Sequence, residues 1–241
     1  LASGLALLKP SERDPLKTGT AGTGDLIRAA LDQGATRLLL GIGGSATNDG
    51  GLGMARTLGY RFLDADGVEL DGVGASLCTL ARIDRAGADA RLGAVEVDVA
   101  CDVDNPLFGP RGAACVYAPQ KGATPEMVAR LDDGLRRLSD VVRSELGVDV
   151  SALAGGGAAG GLGAGLVAFL GGRLRPGAEL VVGVCDLAAR LAGCDLVITG
   201  EGRLDGQTVS GKAPVGVARV ARARGIPVVA ICGCLGPDVE R

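Results

Sequence analysis

Ser45, Thr47, Asn48 and Asp49 put two hydroxyls, an amide and a carboxylate inside one stretch, Gly41 to Gly53, where six of thirteen residues are glycine. Glycine lets backbone approach a ligand closely and supplies the positive φ of tight turns. The apolar run Leu38–Leu40 before it reads as a buried strand, and Met54 to Leu58 after it as a helix. Strand, glycine-rich loop and helix is the order that cradles phosphate on backbone N–H groups. The competing reading is a tight strand-to-helix connection with no ligand. Four polar side chains in so short a loop weigh against it. Gly43, Gly44, Ser45 and Asn48 are the candidate ligand contacts. Asp49 either caps the following helix or works on a ligand as a cation ligand or proton acceptor. Asn48-Asp49-Gly50-Gly51 holds more glycine than a helix start needs, which favours the second role.

Further candidates lie where the sequence predicts strands to end. Thr199-Gly-Glu201-Gly-Arg203-Leu-Asp205 alternates acid, base and acid beyond a predicted strand, Leu196–Thr199. Open α/β sheets bind ligands in that crevice. Carboxylates there can hold Mg²⁺, and an arginine can clamp a phosphate or carboxylate. An exposed ion-pair loop is the alternative. Lys212 follows Gly211 at a predicted helix start, a place for an anion. The run Gly206–Ala213 falls one residue short of a Walker A loop and has Ala213 where Ser or Thr would ligate Mg²⁺. Asp102, Asp104 and Asn105 also follow a strand, and an Asx-turn before Pro106 explains them equally well. Gly41-x-Gly43-x-x-Ala46 matches a dinucleotide fingerprint, with Asp64 near the ribose-binding distance. Asn48–Gly51 interrupts the helix that this fingerprint requires.

The composition narrows the chemistry. The 241 residues contain no His and no Trp, so no Ser-His-Asp triad or His-ligated zinc can be built within the chain. Net charge is −3 without a basic stripe, which argues against nucleic-acid binding. No apolar run approaches the roughly 20 residues of a membrane span. Seven scattered cysteines without a Cys-x-x-Cys suggest buried thiols in a reducing cytoplasm.

The elements that must position these groups alternate between helix and strand. Thr20–Leu31 is predicted helical and Tyr60–Leu63 a short strand, while Leu70–Leu92 stays unresolved. Ala94–Cys101 alternates as a half-buried strand, with Glu96 and Asp98 on its solvent side. Ala113–Tyr117 is predicted as another strand. Thr124 caps the best helix, Pro125–Leu146, whose charges, Asp132 among them, form a solvated face. Gly155–Gly165, with seven glycines, leads into a helix. Glu179–Val184 fits strand or helix, and Leu187–Leu191 a short helix. Leu196–Thr199, Lys212–Arg224 and Pro227–Ile231 make a βαβ unit with parallel strands. Two strands do not make a stable sheet, so further strands are expected from elsewhere.

Five motifs in order now carry a resemblance: Gly41–Gly53, Cys101–Pro106, Pro119-Gln-Lys121-Gly122, Gly155–Gly165 and Ile198–Asp205. Across essentially the whole chain they resemble the type I glycerate kinase family. The resemblance implies ATP-dependent phosphorylation of D-glycerate with Mg²⁺, more often to the 2-phosphate. It implies an α/β fold of two domains: an inserted α/β domain, here 1–184, and part of a Rossmann-like parallel-sheet domain, here 185–241. The family's N-terminal segment and C-terminal end have no counterpart, so a chain completed by sequence beyond it, and poorly stable alone, is expected. In that frame Asp49, Arg203 and Asp205 are the catalytic candidates, Asp49 as Mg²⁺ ligand or acceptor of the glycerate hydroxyl's proton. Glu201 is the metal candidate. Gly43, Gly44, Ser45, Asn48, Lys121 and Lys212 are the substrate and ATP contacts. A homo-oligomer stays open. An NAD-dependent oxidoreductase and a non-catalytic binding domain are the rival readings.

Overall fold

The computed structural model describes residues 2–204 and 213–236. The chain divides into two compact units, 1–174 and 175–241. The sequence placed this boundary at 184; α6 (Gly177–Val184) falls instead in the second unit, where it packs on α8 (Ala213–Arg222).

In the first unit, α1 (Ala21–Asp32) precedes β1 (Arg37–Gly41), and α2 (Leu52–Thr57) precedes β2 (Arg61–Leu63). β2 pairs antiparallel with β3 (Arg82–Asp84), a strand too short to stand out within Leu70–Leu92. β4 (Glu96–Ala100) runs parallel to β1 and lies between it and β5 (Arg173–Arg175). Parallel pairing brings the carboxyl ends of β1 and β4 side by side, and both glycine-rich and acidic motifs leave from that edge.

β4 departs from the predicted half-buried strand. Val97, Asp98 and Val99 are all buried. Asp98 faces no solvent because Arg37 of β1 reaches it at 2.7 Å and Arg173 of β5 at 3.3 Å. Two guanidiniums from the flanking strands replace its water, which a buried carboxylate requires.

Ala113–Tyr117 is a helix, α3, and not a strand. Periodicity cannot separate the two in so short an apolar run, and Ala113 and Ala114 pack inward where α3 meets α4 (Pro125–Leu146). Thr124 caps α4 as expected, accepting from the Met127 N–H, and Gly147 ends it in the left-handed region. Leu131, Leu135 and Leu138 of α4 are fully or almost fully buried. Asp132 is not on a solvated face. It is largely buried, and its Oδ1 accepts from the Gly109 N–H at 2.7 Å. α5 (Leu162–Leu170) leaves the second glycine-rich loop and is buried along most of its length.

The second unit holds α6, α7 (Leu187–Arg190), β6 (Val197–Leu204), α8 and β7 (Val228–Leu235). β6 and β7 pair in parallel, as the βαβ reading requires. Leu191, Val197 and Ala221 form its small core. Among the described residues no helix is long and apolar enough to cross a membrane.

Candidate active site

The polar groups of the Gly41–Gly53 loop separate into two sets. Gly43, Gly44 and Ser45 line a cavity of about 340 Å³ beyond the carboxyl ends of β1 and β4. Ala100–Val103 from the end of β4, Lys121, and Ala158 and Ala159 of the second glycine-rich loop complete its wall. A Cβ at Gly43 or Gly44 would meet nothing within 4 Å, so the glycines leave this wall open. Ala159 holds φ +53°, a conformation that non-glycine residues seldom adopt.

Lys121 sits in a short 3₁₀ turn, Pro119–Lys121, and is 2% exposed. Its Nζ donates to Ser45 Oγ at 2.9 Å and to the Thr47 carbonyl at 2.6 Å. Burial pushes its pKa down to about 8, and the negative charge of Asp49 offsets part of that fall. A cation held inside the fold by two oxygens has one N–H left over from its three for a ligand.

Asn48 and Asp49 belong to the second set and are fully buried away from the cavity wall. Asp49 Oδ2 accepts from the Thr20 N–H at 2.8 Å, the Thr20 hydroxyl at 2.7 Å and the Gly53 N–H at 3.1 Å. Its Oδ1 accepts from the Gly51 N–H at 3.3 Å. Burial raises the Asp49 pKa on balance, and these four donors offset only part of that rise. All four of its hydrogen-bond partners are donors, so the geometry presents the group with an acceptor's surroundings. This is the capping arrangement. The ligand-facing role favoured from glycine content loses its basis, because Gly50 and Gly51 leave no room. A Cβ on Gly50 would lie 2.2 Å from Leu138 Cδ2, and one on Gly51 3.2 Å from Gly165 Cα. Asn48 is closed off likewise, and neither side-chain amide atom has a hydrogen-bond partner.

The surplus glycine serves loop-on-loop packing. The Gly50 N–H donates to the Gly160 carbonyl at 3.0 Å, and a Cβ on Gly160 would lie 1.9 Å from the Thr47 carbonyl oxygen. The dinucleotide fingerprint fails for the same segment. Ser45 bridges to Gly4 and the helix starts only at Leu52, whereas that fingerprint needs a helix directly after the glycines.

Beyond β4, Asn105 donates to the Arg111 carbonyl at 2.8 Å and accepts from the Tyr117 hydroxyl at 2.6 Å. Asp104 pairs with Arg111 at 3.1 Å. Both shape the loop, while Asp102 lines the cavity.

Glu201 and Arg203 lie on β6 itself, not in a loop beyond it, opposite Cys232 and Cys234 of β7. The strand runs to Leu204 because β7 continues beside it to Leu235. Alternation puts Thr199, Glu201 and Arg203 on one face. Asp205 and Lys212 lie outside the described residues. Among the described residues no three Asp, Glu, Cys or His converge as a metal cage. Mg²⁺ in phosphoryl-transfer sites takes only one or two carboxylates beside the substrate's phosphates, and the half-exposed Glu201 fits such a single-ligand role.

These features describe an α/β protein with a small-molecule cavity at the carboxyl edge of a parallel sheet. Over residues 1–241 the chain matches the glycerate kinase family, and it belongs to that family. A glycerate kinase of Halalkalibacterium halodurans is 52% identical over 239 residues, covering 99% of this chain and 63% of that protein. A glycerate 2-kinase of Escherichia coli K12 is 50% identical, covering 99% of this chain and 62% of that protein. The crystal structure of a candidate glycerate kinase 2 from Salmonella typhimurium LT2 superposes with a TM-score of 0.90 at 52% identity. It covers 98% of this chain, which spans 65% of that one. The chain thus spans a little under two thirds of these relatives.

Proposed function

We propose that the protein transfers the γ-phosphoryl group of ATP to a hydroxyl of D-glycerate, the 2-hydroxyl in preference to the 3-hydroxyl. The observation that carries this reading is Lys121, an ammonium buried beside a glycine-rich loop at the carboxyl edge of β1 and β4. Phosphoryl transfer asks a protein for positioning and charge neutralisation more than for a covalent group. A chain without His can supply both.

In this assignment Gly43, Gly44, Ser45 and Lys121 bind substrate. Arg203, and Asp205 and Lys212 beyond the described residues, act at the phosphates. Glu201 holds Mg²⁺, which when bound neutralises phosphate charge. Asp49 holds the loop, and neither it nor the buried Asn48 touches substrate.

The test is incubation of the intact protein with D-glycerate, ATP and Mg²⁺, followed by ³¹P NMR of the product. A 2-phosphoglycerate resonance growing with ADP is expected. Hydrolysis of ATP alone, or binding of glycerate without turnover, would overturn the reading in favour of a non-catalytic binding domain.

A further inference from the structure

We propose that the cavity beyond β1 and β4 is the hydroxy-acid subsite, with Lys121 on the acid's carboxylate and Asp102 accepting the proton of the attacking hydroxyl. This rests on the kinase reading above and adds which substrate the cavity takes and which residue does the proton transfer.

Charge is the first argument. Among the residues lining the cavity, Asp102 and Lys121 carry the only formal charges, and they cancel. A triphosphate brings several negative charges and calls for several cations around it. A small hydroxy acid brings one carboxylate for one ammonium and a hydroxyl for one carboxylate. Size agrees, since about 340 Å³ lies near the low end of the roughly 300–1,000 Å³ of small-molecule pockets.

The wall also shows the marks of a built site. Lys121 is pinned by Ser45 and Thr47, so its position is set before any ligand arrives. Gly43 and Gly44 leave backbone open to close approach. Ala159 on the same wall is held at φ +53°, strain of the kind that clusters at ligand sites. Asp102 lines this cavity at the end of β4, whereas its neighbours Asp104 and Asn105 are not part of the wall.

The step balances as follows. The substrate hydroxyl oxygen bonds to the γ-phosphorus of ATP, and the bond from that phosphorus to the β,γ-bridging oxygen breaks. ADP leaves with the electron pair, and the hydroxyl proton passes to the Asp102 carboxylate. General-base removal of this kind contributes roughly 10²–10⁴-fold.

Asp102→Asn and Lys121→Gln in the intact protein test this, with steady-state kinetics and titration calorimetry of D-glycerate and of ATP. Asp102→Asn is expected to lower kcat by about 10²-fold or more, with both binding constants within threefold of the parent. Lys121→Gln is expected to weaken glycerate binding at least tenfold and leave ATP binding unchanged. Unfolding midpoints are compared first, and the exposed Asp102 variant keeps the test open if Lys121→Gln does not fold. Loss of ATP binding with glycerate binding intact, or a wild-type kcat for Asp102→Asn, would overturn the inference and leave the kinase reading standing. A parent protein that never phosphorylates glycerate would overturn both.

Discussion

Thr20, the residue ahead of α1, and Asp49, ahead of α2, meet in one contact that caps α2: the Thr20 N–H and hydroxyl both donate to Asp49 Oδ2, at 2.8 and 2.7 Å, and Thr20 Oγ1 in turn accepts from the Met54 N–H at 2.9 Å. The same carboxylate takes the Gly51 and Gly53 N–H groups at the start of α2. The pair fixes where α1 begins relative to α2.

Asp49→Asn should therefore act on stability. Asparagine offers one oxygen, and its Nδ2 would face the Gly51 N–H, donor against donor. An unsatisfied buried donor costs about 1–3 kcal/mol. The unfolding midpoint in urea should fall accordingly, while the folded fraction keeps kcat/KM within threefold. A wild-type midpoint with a hundredfold loss of kcat would return Asp49 to the chemistry.

Lys121 sets a pH dependence. Its pKa of about 8 means the ammonium is present below pH 8 and is lost as pH rises through that value. The groups around it are Asp49, whose charge favours the ammonium, Ser45 and Thr47, and Asp102 on the shared cavity wall. The KM for glycerate should rise by roughly tenfold per pH unit well above pH 8, the slope of one lost proton. The KM for ATP should stay level over the same range. Glycerate KM values that do not change between pH 7 and 9.5 would remove Lys121 from the carboxylate.

Arg203 shares a face of β6 with Glu201, two positions apart at the carboxyl end of the strand. Arg203→Lys keeps the charge and loses the planar fork that binds phosphate oxygens in pairs. The expected outcome is a fall in kcat/KM on the order of 10²-fold, similar to removing one oriented donor at a developing charge. Wild-type kcat/KM would show that Arg203 holds the strand and not the substrate.

How much of this was legible in sequence depended on how local the signal was. α4 was legible to the residue, because Thr124, Pro125 and Gly147 mark its ends and leucines mark its buried face. The parallel β6–α8–β7 unit was legible in its order but not in its ends, since β6 runs on to Leu204 beside β7 where the glycines of Gly200–Gly202 read as a loop. Lys121 could be singled out only through a family motif, since its partners Ser45 and Thr47 lie 76 and 74 positions away. Asp98 looked solvated because its two arginines come from strands on either side, one of them too short to predict. The glycines misled most. Composition reports that backbone must come close to something, and cannot say whether that is a ligand, as at Gly43, or another backbone, as at Gly50.

That distinction gives the last prediction, a pair of alanine substitutions with opposite outcomes. Gly160 sits at φ +70°, and a Cβ there would lie 1.9 Å from the Thr47 carbonyl oxygen and 2.7 Å from Asn48 Cα. Neither obstacle is a flexible side chain, so the two loops must move apart. Overpacking of this kind costs about 1–3 kcal/mol, and the positive φ adds to it. Gly160→Ala should lower the unfolding midpoint clearly or prevent folding. Gly43 has no positive φ and no atom within 4 Å of its would-be Cβ. Gly43→Ala should fold with an unchanged midpoint, because nothing in the protein is displaced. Gly43 lines the cavity that Lys121 and Asp102 share, and the added methyl group takes up open space at that wall. The KM for glycerate should rise severalfold while the unfolding curve stays in place. A Gly43→Ala protein with wild-type KM would show that the open wall is not where substrate sits. A Gly160→Ala protein as stable as its parent would show that the loops do not depend on their close approach.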